Sequence, residues 1–141
     1  MAAFIYKTQF TSRIHDIDAA GVLFFARAFY HAHDAYEALL AHHQQSIADI
    51  LESNIILPIS HSEADFKAPV FLNEAIDIEI YSQVINDSEY SLTYHFIDTR
   101  GKVRIKLNTQ HVCLDKKTRE RTTLPVSLKT ILSTEAKYPP D

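Results

Sequence analysis

The sequence predicts an α+β fold in which an antiparallel sheet curls around one long helix. Three observations carry that expectation. Phe25, Ala28, Phe29, Ala32, Ala35, Tyr36, Leu39 and Leu40 recur at three- and four-residue steps, the spacing of a helix. One alternating run precedes that helix, at residues 4–13, and four consecutive ones follow it. The length, 141 residues with 46% hydrophobic and 23% charged, suits one domain over residues 1–141 with an ordinary core.

In the first run Phe4, Tyr6, Thr8 and Phe10 alternate with Ile5, Lys7 and Gln9, which predicts a strand. A polar break at residues 13–18 leads to Gly21 and the helix. Phe24, Ala26, Tyr30 and Ala38 leave that helix apolar around much of its circumference, so it is expected to be wrapped by other structure. His42 and His43 suit its C-terminal dipole. Ser46, with Asp49 three residues on, predicts a capped short helix through Leu51. From Ile55 the period changes to two. Residues 55–67 read as a strand stopped by Pro69. The next strands place Ile76, Ile78 and Ile80 on one face, then Tyr90, Leu92, Tyr94 and Phe96. Gly101 supplies the positive φ of a hairpin turn after Asp98, and Val103, Ile105 and Leu107 begin a last strand to about Leu114. Residues 138–141 are expected to fray.

Composition excludes several functions. With 14 basic and 18 acidic residues the net charge is -4, so no overall field attracts nucleic acid. No window approaches the roughly 18 apolar residues of a membrane span, and the N-terminus lacks a signal-peptide pattern. The lone Cys113 excludes an intrachain disulfide and suits a reducing, cytoplasmic compartment. Two glycines, Gly21 and Gly101, are too few for a phosphate-binding or dinucleotide loop.

The informative segment runs Arg13-Ile14-His15-Asp16-Ile17-Asp18-Ala19-Ala20-Gly21-Val22-Leu23-Phe24-Phe25. One reading is local: Asp16 in an Asx-turn and Asp18 near the helix N-terminus as caps. The chemical reading starts from the apolar stretch after Asp18, which would partly desolvate the carboxylate and make it a stronger base or nucleophile. Free N–H groups at the helix start can hold a developing oxyanion, and Gly21 lets a ligand approach the backbone. That combination suits acyl transfer.

These residues resemble the 4-hydroxybenzoyl-CoA thioesterase branch of the hotdog-fold superfamily. The resemblance rests on Asp16-x-Asp18-x-x-Gly21-Val22, the aromatic pair after it, and Tyr36-Glu37 on the helix. It continues through Leu57-Pro58, His61, Asp65-Phe66, Ala68-Pro69, His111-Val112-Cys113 and Leu124-Pro125. With His33-Asp34-Ala35-Tyr36-Glu37 it is closest to the 1,4-dihydroxy-2-naphthoyl-CoA thioesterases, and it covers about residues 6–132. The resemblance implies a hotdog fold and hydrolysis of an acyl-CoA, with an aromatic acyl group. It places the catalytic carboxylate on Asp18, as nucleophile or general base, and the oxyanion donor on the Phe25 backbone N–H. Gly21 and Val22 would lie against the acyl group, and Asp16 would fix the loop. Many relatives carry His or Asn where Phe25-Ala26 stands here, so a side-chain contact at that point is missing. Homodimers or homotetramers with sites between subunits are also implied. Coenzyme A belongs to the substrate, and no separate cofactor is called for. The alternatives are a broad-specificity acyl-CoA or acyl-carrier thioesterase of the same branch, and a catalytically silent protein that binds acyl carriers or partners.

The remaining candidates divide readily. His31 and His33, two apart on a helix, point to different sides, so no metal site is expected. His61 and His111 read as satisfied sheet histidines. Lys102 and Arg104 alternate with Lys106 along one strand face, either as a solvated face or as a docking stripe for coenzyme A phosphates. Arg27, near the helix start, could form a salt bridge across a subunit contact.

Overall fold

Each alternating run becomes strand, two of them with breaks. In the computed structural model, which describes residues 3–135, β1 (Tyr6–Thr11) is followed by a 3-10 turn (Ile14–Asp16), α1 (Phe25–His42) and α2 (Ile47–Glu52). Then come β2 (Ile55–Ile56), β3 (Ile59–Phe66), β4 (Ala75–Asn86), β5 (Glu89–Ile97), β6 (Val103–Val112), β7 (Leu114–Asp115) and α3 (Val126–Ser133). The tail at residues 138–141 lies outside the described residues.

Five strands form an antiparallel sheet in the order β1-β4-β5-β6-β3, and β2 pairs with β7 in a separate ribbon. One face is buried: Ile76, Ile78 and Ile80 of β4, Tyr90, Leu92, Tyr94 and Phe96 of β5, and Ile105 and Leu107 of β6. Each such side chain contributes about 1.5–3 kcal/mol relative to exposure. α1 packs on that face, as the α+β expectation requires. Its buried stripe is Ala28, Ala32, Ala35, Tyr36, Leu39 and Leu40. The alanines let the helix lie close to the strands, while Tyr36 and the two leucines fill the wider space beyond.

Three expectations need correcting. α1 is not enclosed all round, because Phe25 is 59% and Tyr30 61% exposed; these two rings turn outward, while the three alanines, Tyr36 and the two leucines face the sheet. The strand expected over residues 55–67 is two strands. Pro58 has no N–H to continue the ladder, and its carbonyl instead accepts the Val112 N–H at 3.1 Å. The last strand likewise breaks at Cys113, whose N–H donates to the Ser88 carbonyl at 2.8 Å. α3, starting after Pro125, went unread in the sequence. The capping box at α2 is as expected: the Asp49 N–H donates to Ser46 Oγ at 3.1 Å, and the Ser46 N–H donates to Asp49 Oδ2 at 3.2 Å. Gly101 turns the β5–β6 hairpin at φ 83°.

Where α1 crosses the middle of the sheet, a neutral polar group is sealed inside. The Tyr36 and Tyr90 hydroxyls are 2.5 Å apart. The His111 ring stacks on Tyr90, centroids 4.6 Å apart, and its Nε2 bonds Thr109 Oγ1 at 2.8 Å. Among the described residues Nδ1 of His111 makes no hydrogen bond, so the satisfied sheet histidine expected there is only half satisfied. Burial, helped by His33, pushes the His111 pKa down to about 4, against an opposing pull from the Leu57 carbonyl. Burial pushes the Tyr36 phenol up to about 12.

Thr11 pairs with Ala75, Ile97 with Val103, and Phe66 with Ile105. The ends of β1, β3 and β5 and the starts of β4 and β6 therefore share one end of the sheet. The segment from Arg13 to Phe25 lies at that end.

Candidate active site

Past β1 the chain is anchored by Ser12, which is fully buried. Its hydroxyl donates to the Phe71 carbonyl and accepts the Glu74 N–H. After the 3-10 turn the backbone folds into a miniature hairpin. Ile17 pairs with Leu23, and the Asp18 N–H donates to the Val22 carbonyl at 2.9 Å. The Gly21 N–H closes the tip on the Asp18 carbonyl at 3.0 Å. Gly21 adopts φ 81°, a conformation costing an L-residue about 1–2 kcal/mol. The Phe24 N–H then donates to the Asp16 carbonyl at 2.8 Å, and α1 begins at Phe25. The outer side of this hairpin is backed by the turn before β4: Val22 bridges Phe71, and the Leu23 N–H donates to the Val70 carbonyl at 2.8 Å.

The two acids of the motif have different surroundings. Asp16 is 1% exposed. Its Oδ2 accepts the Arg13 N–H, and its Oδ1 accepts both Arg27 Nε and His31 Nε2, all at 2.9 Å. Burial alone would raise its pKa; the Arg13 N–H, His31 and Arg27 outweigh that and hold the carboxyl below its usual range. Asp18 is half-buried. Its Oδ1 accepts the Ala20 N–H at 2.8 Å and the Val22 N–H at 3.3 Å, while Oδ2 takes no hydrogen bond among the described residues. The Asx-turn thus belongs to Asp18 and not to Asp16, and neither acid caps α1, whose N-cap residue is Phe24. Asp16 is fully committed to its partners, and Asp18 keeps one oxygen open.

The first helical N–H groups have no intrahelical acceptor, and the Phe25 N–H finds no other partner among the described residues. Asp18, Gly21, Val22 and the Phe25 N–H therefore belong to one continuous hairpin and helix start. The Phe24 and Phe25 rings, 4.9 Å apart at 66°, and the exposed Phe71 give this end an aromatic surface. Such a site can hold a planar acyl group, offer a carboxylate oxygen, and donate an N–H to a carbonyl oxygen that gains charge.

Lys102 and Arg104 lie at the same sheet end, across β4 and β5, lining an open cavity of about 670 Å³ with Pro69, Phe71, Glu74 and Asp98. They differ in availability. Arg104 Nε donates to Asp98 Oδ2 at 2.8 Å, and its Nη2 to Glu74 Oε2 at 3.0 Å. Burial works against that charge, but Glu74 and Asp98 overcome it and raise the guanidinium pKa. Lys102 is exposed, and among the described residues its ammonium has no carboxylate partner.

The sequence reading missed the partners of Asp16. Arg27 and His31 stand four apart on α1 and so share a face, and that spacing was the available signal. Arg27 makes its salt bridge within the chain, to Asp16, where a contact across subunits was expected. His31 turns inward to Asp16, while His33 is exposed beside Glu37, so the two do point to different sides.

The thioesterase-like superfamily matches the chain over residues 12–132. A 1,4-dihydroxy-2-naphthoyl-CoA hydrolase of Gloeothece citriformis is 34% identical over 118 residues, covering 82% of each chain. Another, of Microcystis aeruginosa, is 36% identical over 115 residues, covering 81% of this chain and 83% of its own. Among solved structures, a 1,4-dihydroxy-2-naphthoyl-CoA thioesterase from Synechocystis superposes with a TM-score of 0.86 at 22% identity, covering 90% of this chain and 94% of that one. That last likeness is one of fold. The matched span takes in the Asp18 hairpin, α1 and every strand of the sheet after β1, and the chain belongs to the thioesterase-like superfamily as a thioester hydrolase of the hotdog fold.

Proposed function

We propose that the protein hydrolyses an aromatic acyl-CoA, 1,4-dihydroxy-2-naphthoyl-CoA, with Asp18 as the catalytic carboxylate. The observation that carries this reading is the asymmetry of Asp18: two backbone N–H groups hold Oδ1, while Oδ2, like the Phe25 N–H at the end of the same hairpin, has no partner among the described residues. Relatives bearing that substrate's name, at 34% and 36% identity, support the acyl group, as do Phe24, Phe25 and Phe71 around the hairpin.

Two courses use the same oxygen. In one, Oδ2 bonds to the thioester carbon, the C–S bond breaks, coenzyme A leaves as a thiolate that takes a proton, and water cleaves the resulting anhydride. In the other, Oδ2 takes a proton from water as that water adds to the carbon, and collapse of the adduct expels the thiolate, which recovers the proton. In both, the Phe25 N–H meets the carbonyl oxygen as it becomes negative. Gly21 and Val22 flank the acyl group. No metal or resident cofactor enters the proposed reaction.

Lys102 is the phosphate contact in this proposal; Arg104, bound by two carboxylates, braces the cavity wall beside it. Among the described residues β3 is an edge strand paired with β6 alone, and Ile59 and Phe66 on it are 45% and 48% exposed. An open strand edge with an exposed apolar residue at each end favours pairing with a second copy, so a homodimer, singly or as half of a tetramer, completes the proposed site. No described helix is long and apolar enough to cross a membrane, and the free, buried Cys113 suits the cytoplasm.

The test is thiol release from naphthoyl-, benzoyl- and straight-chain acyl-CoAs. We expect turnover greatest with the naphthoyl ester, and Asp18→Asn to lower kcat by about 10³-fold with unchanged folding. Equal rates across the panel would replace the substrate with a broad acyl-CoA class. Normal turnover by Asp18→Asn would remove Asp18 from the mechanism.

A further inference from the structure

We infer that Arg27 and His31 are positioning residues for catalysis, acting through Asp16 to set where Asp18 and the Phe25 N–H stand relative to each other. The inference rests on the proposed role of Asp18.

Asp16 joins the hairpin to the helix twice. Its backbone carbonyl takes the Phe24 N–H at 2.8 Å, closing the hairpin where α1 begins. Its carboxylate takes Arg27 Nε and His31 Nε2 from the next turns of the same helix, both at 2.9 Å. Asp18 lies within the segment closed by these bonds, and the Phe25 N–H lies immediately beyond it. The separation of the carboxylate from the oxyanion donor is therefore a property of this one closed unit.

The two partners are themselves fixed. The His31 ring stacks flat on Phe10 of β1, centroids 3.9 Å apart at 11°. The Arg27 guanidinium lies 5.0 Å from the centre of the Tyr30 ring. His15, 3.8 Å from Asp16 and mostly exposed, is a looser neighbour. An almost fully buried carboxylate cannot exchange such partners for water, so loss of one leaves charge uncompensated where the hairpin is tied. A displacement of about 1 Å in a catalytic group can cost on the order of 100-fold in rate. Phosphate contacts at Lys102 lie across the sheet end and do not depend on this tie.

The experiment compares Arg27→Ala, His31→Ala and His31→Gln with the wild type, assayed well below each unfolding midpoint. Gln can set an amide N–H near the position of Nε2. We expect the alanine variants to lose about 10- to 100-fold in kcat with KM within about 2-fold, and His31→Gln to recover most of the loss. Hydrogen exchange should accelerate at the Asp18 and Phe24 amides while those of β4, β5 and β6 stay protected. Folded alanine variants with wild-type kcat and unchanged exchange at those two amides would overturn the inference. If instead Asp18→Asn keeps full turnover, the proposed mechanism fails, whereas the tie is still judged by the exchange of those amides.

Discussion

Asp16 and His111 are both ionisable, both 1% exposed, and both packed against α1, yet one is ionised and the other neutral. At the start of the helix Asp16 stays ionised because Arg27, His31 and the Arg13 N–H surround it. At mid-helix His111 stays neutral because its surroundings are Tyr36, Tyr90 and Thr109, with no carboxylate bonded to it. Burial disfavours charge at both places, and the partners decide the outcome. The charged cluster lies under the hairpin that presents Asp18, and the neutral one holds the helix to the sheet.

The strongest test of that contrast is Asp16→Asn. It removes the anion from Arg27 and His31, and breaking a buried ion pair costs about 3–5 kcal/mol. A denaturant titration measures the cost; a loss below about 1 kcal/mol would mean that the cluster is solvated and the contrast false.

The pH dependence comes next. In the folded protein His111 has a pKa of about 4 against an ordinary 6.5. Between those values the unfolded chain binds a proton that the folded one refuses, so stability falls as pH drops through that window and levels off below it. The full effect is roughly 3 kcal/mol. His111→Phe keeps the stacked ring and should lose correspondingly less stability between pH 7 and pH 4.5. An equal loss in both proteins would show that His111 charges freely. Asp16 acts in a lower window: its pKa is held below 3.8, so its contribution is present above that value and lost as pH falls further.

The smallest effect concerns the hairpin backbone. An added Cβ at Gly21 would meet nothing within 4 Å, so Gly21→Ala feels only its φ of 81°. The expected cost is about 1 kcal/mol in unfolding free energy. A much larger loss would show that the hairpin tip is packed.

Much of the fold was legible. Alternation in β4 and β5 named the buried residues from Ile76 to Phe96, and the three- and four-residue steps found α1. Asp18, Gly21, Val22 and Phe25 are near neighbours in the sequence and lie in one hairpin and helix start in the structure. Three features were hidden. Pro58 divides a run whose alternation reads as continuous. The exposed Phe25 has the spacing of a core residue, yet the buried stripe begins only at Ala28. Arg104 looks like a surface cation until Glu74 and Asp98 meet it.

By itself the sequence determined the periodic and local features: strand faces, the long helix, the capping box of α2, and an acid-acid-glycine turn. These depend on spacing along the chain, which side-chain order records directly. Only the tertiary structure decided which acid is open, which cation is free, and that β3 lies beside β6 and not beside β4. Those outcomes depend on groups distant in sequence, such as Arg104 with Glu74 or Ser12 with Phe71, and burial then sets whether a charge meets water or a partner.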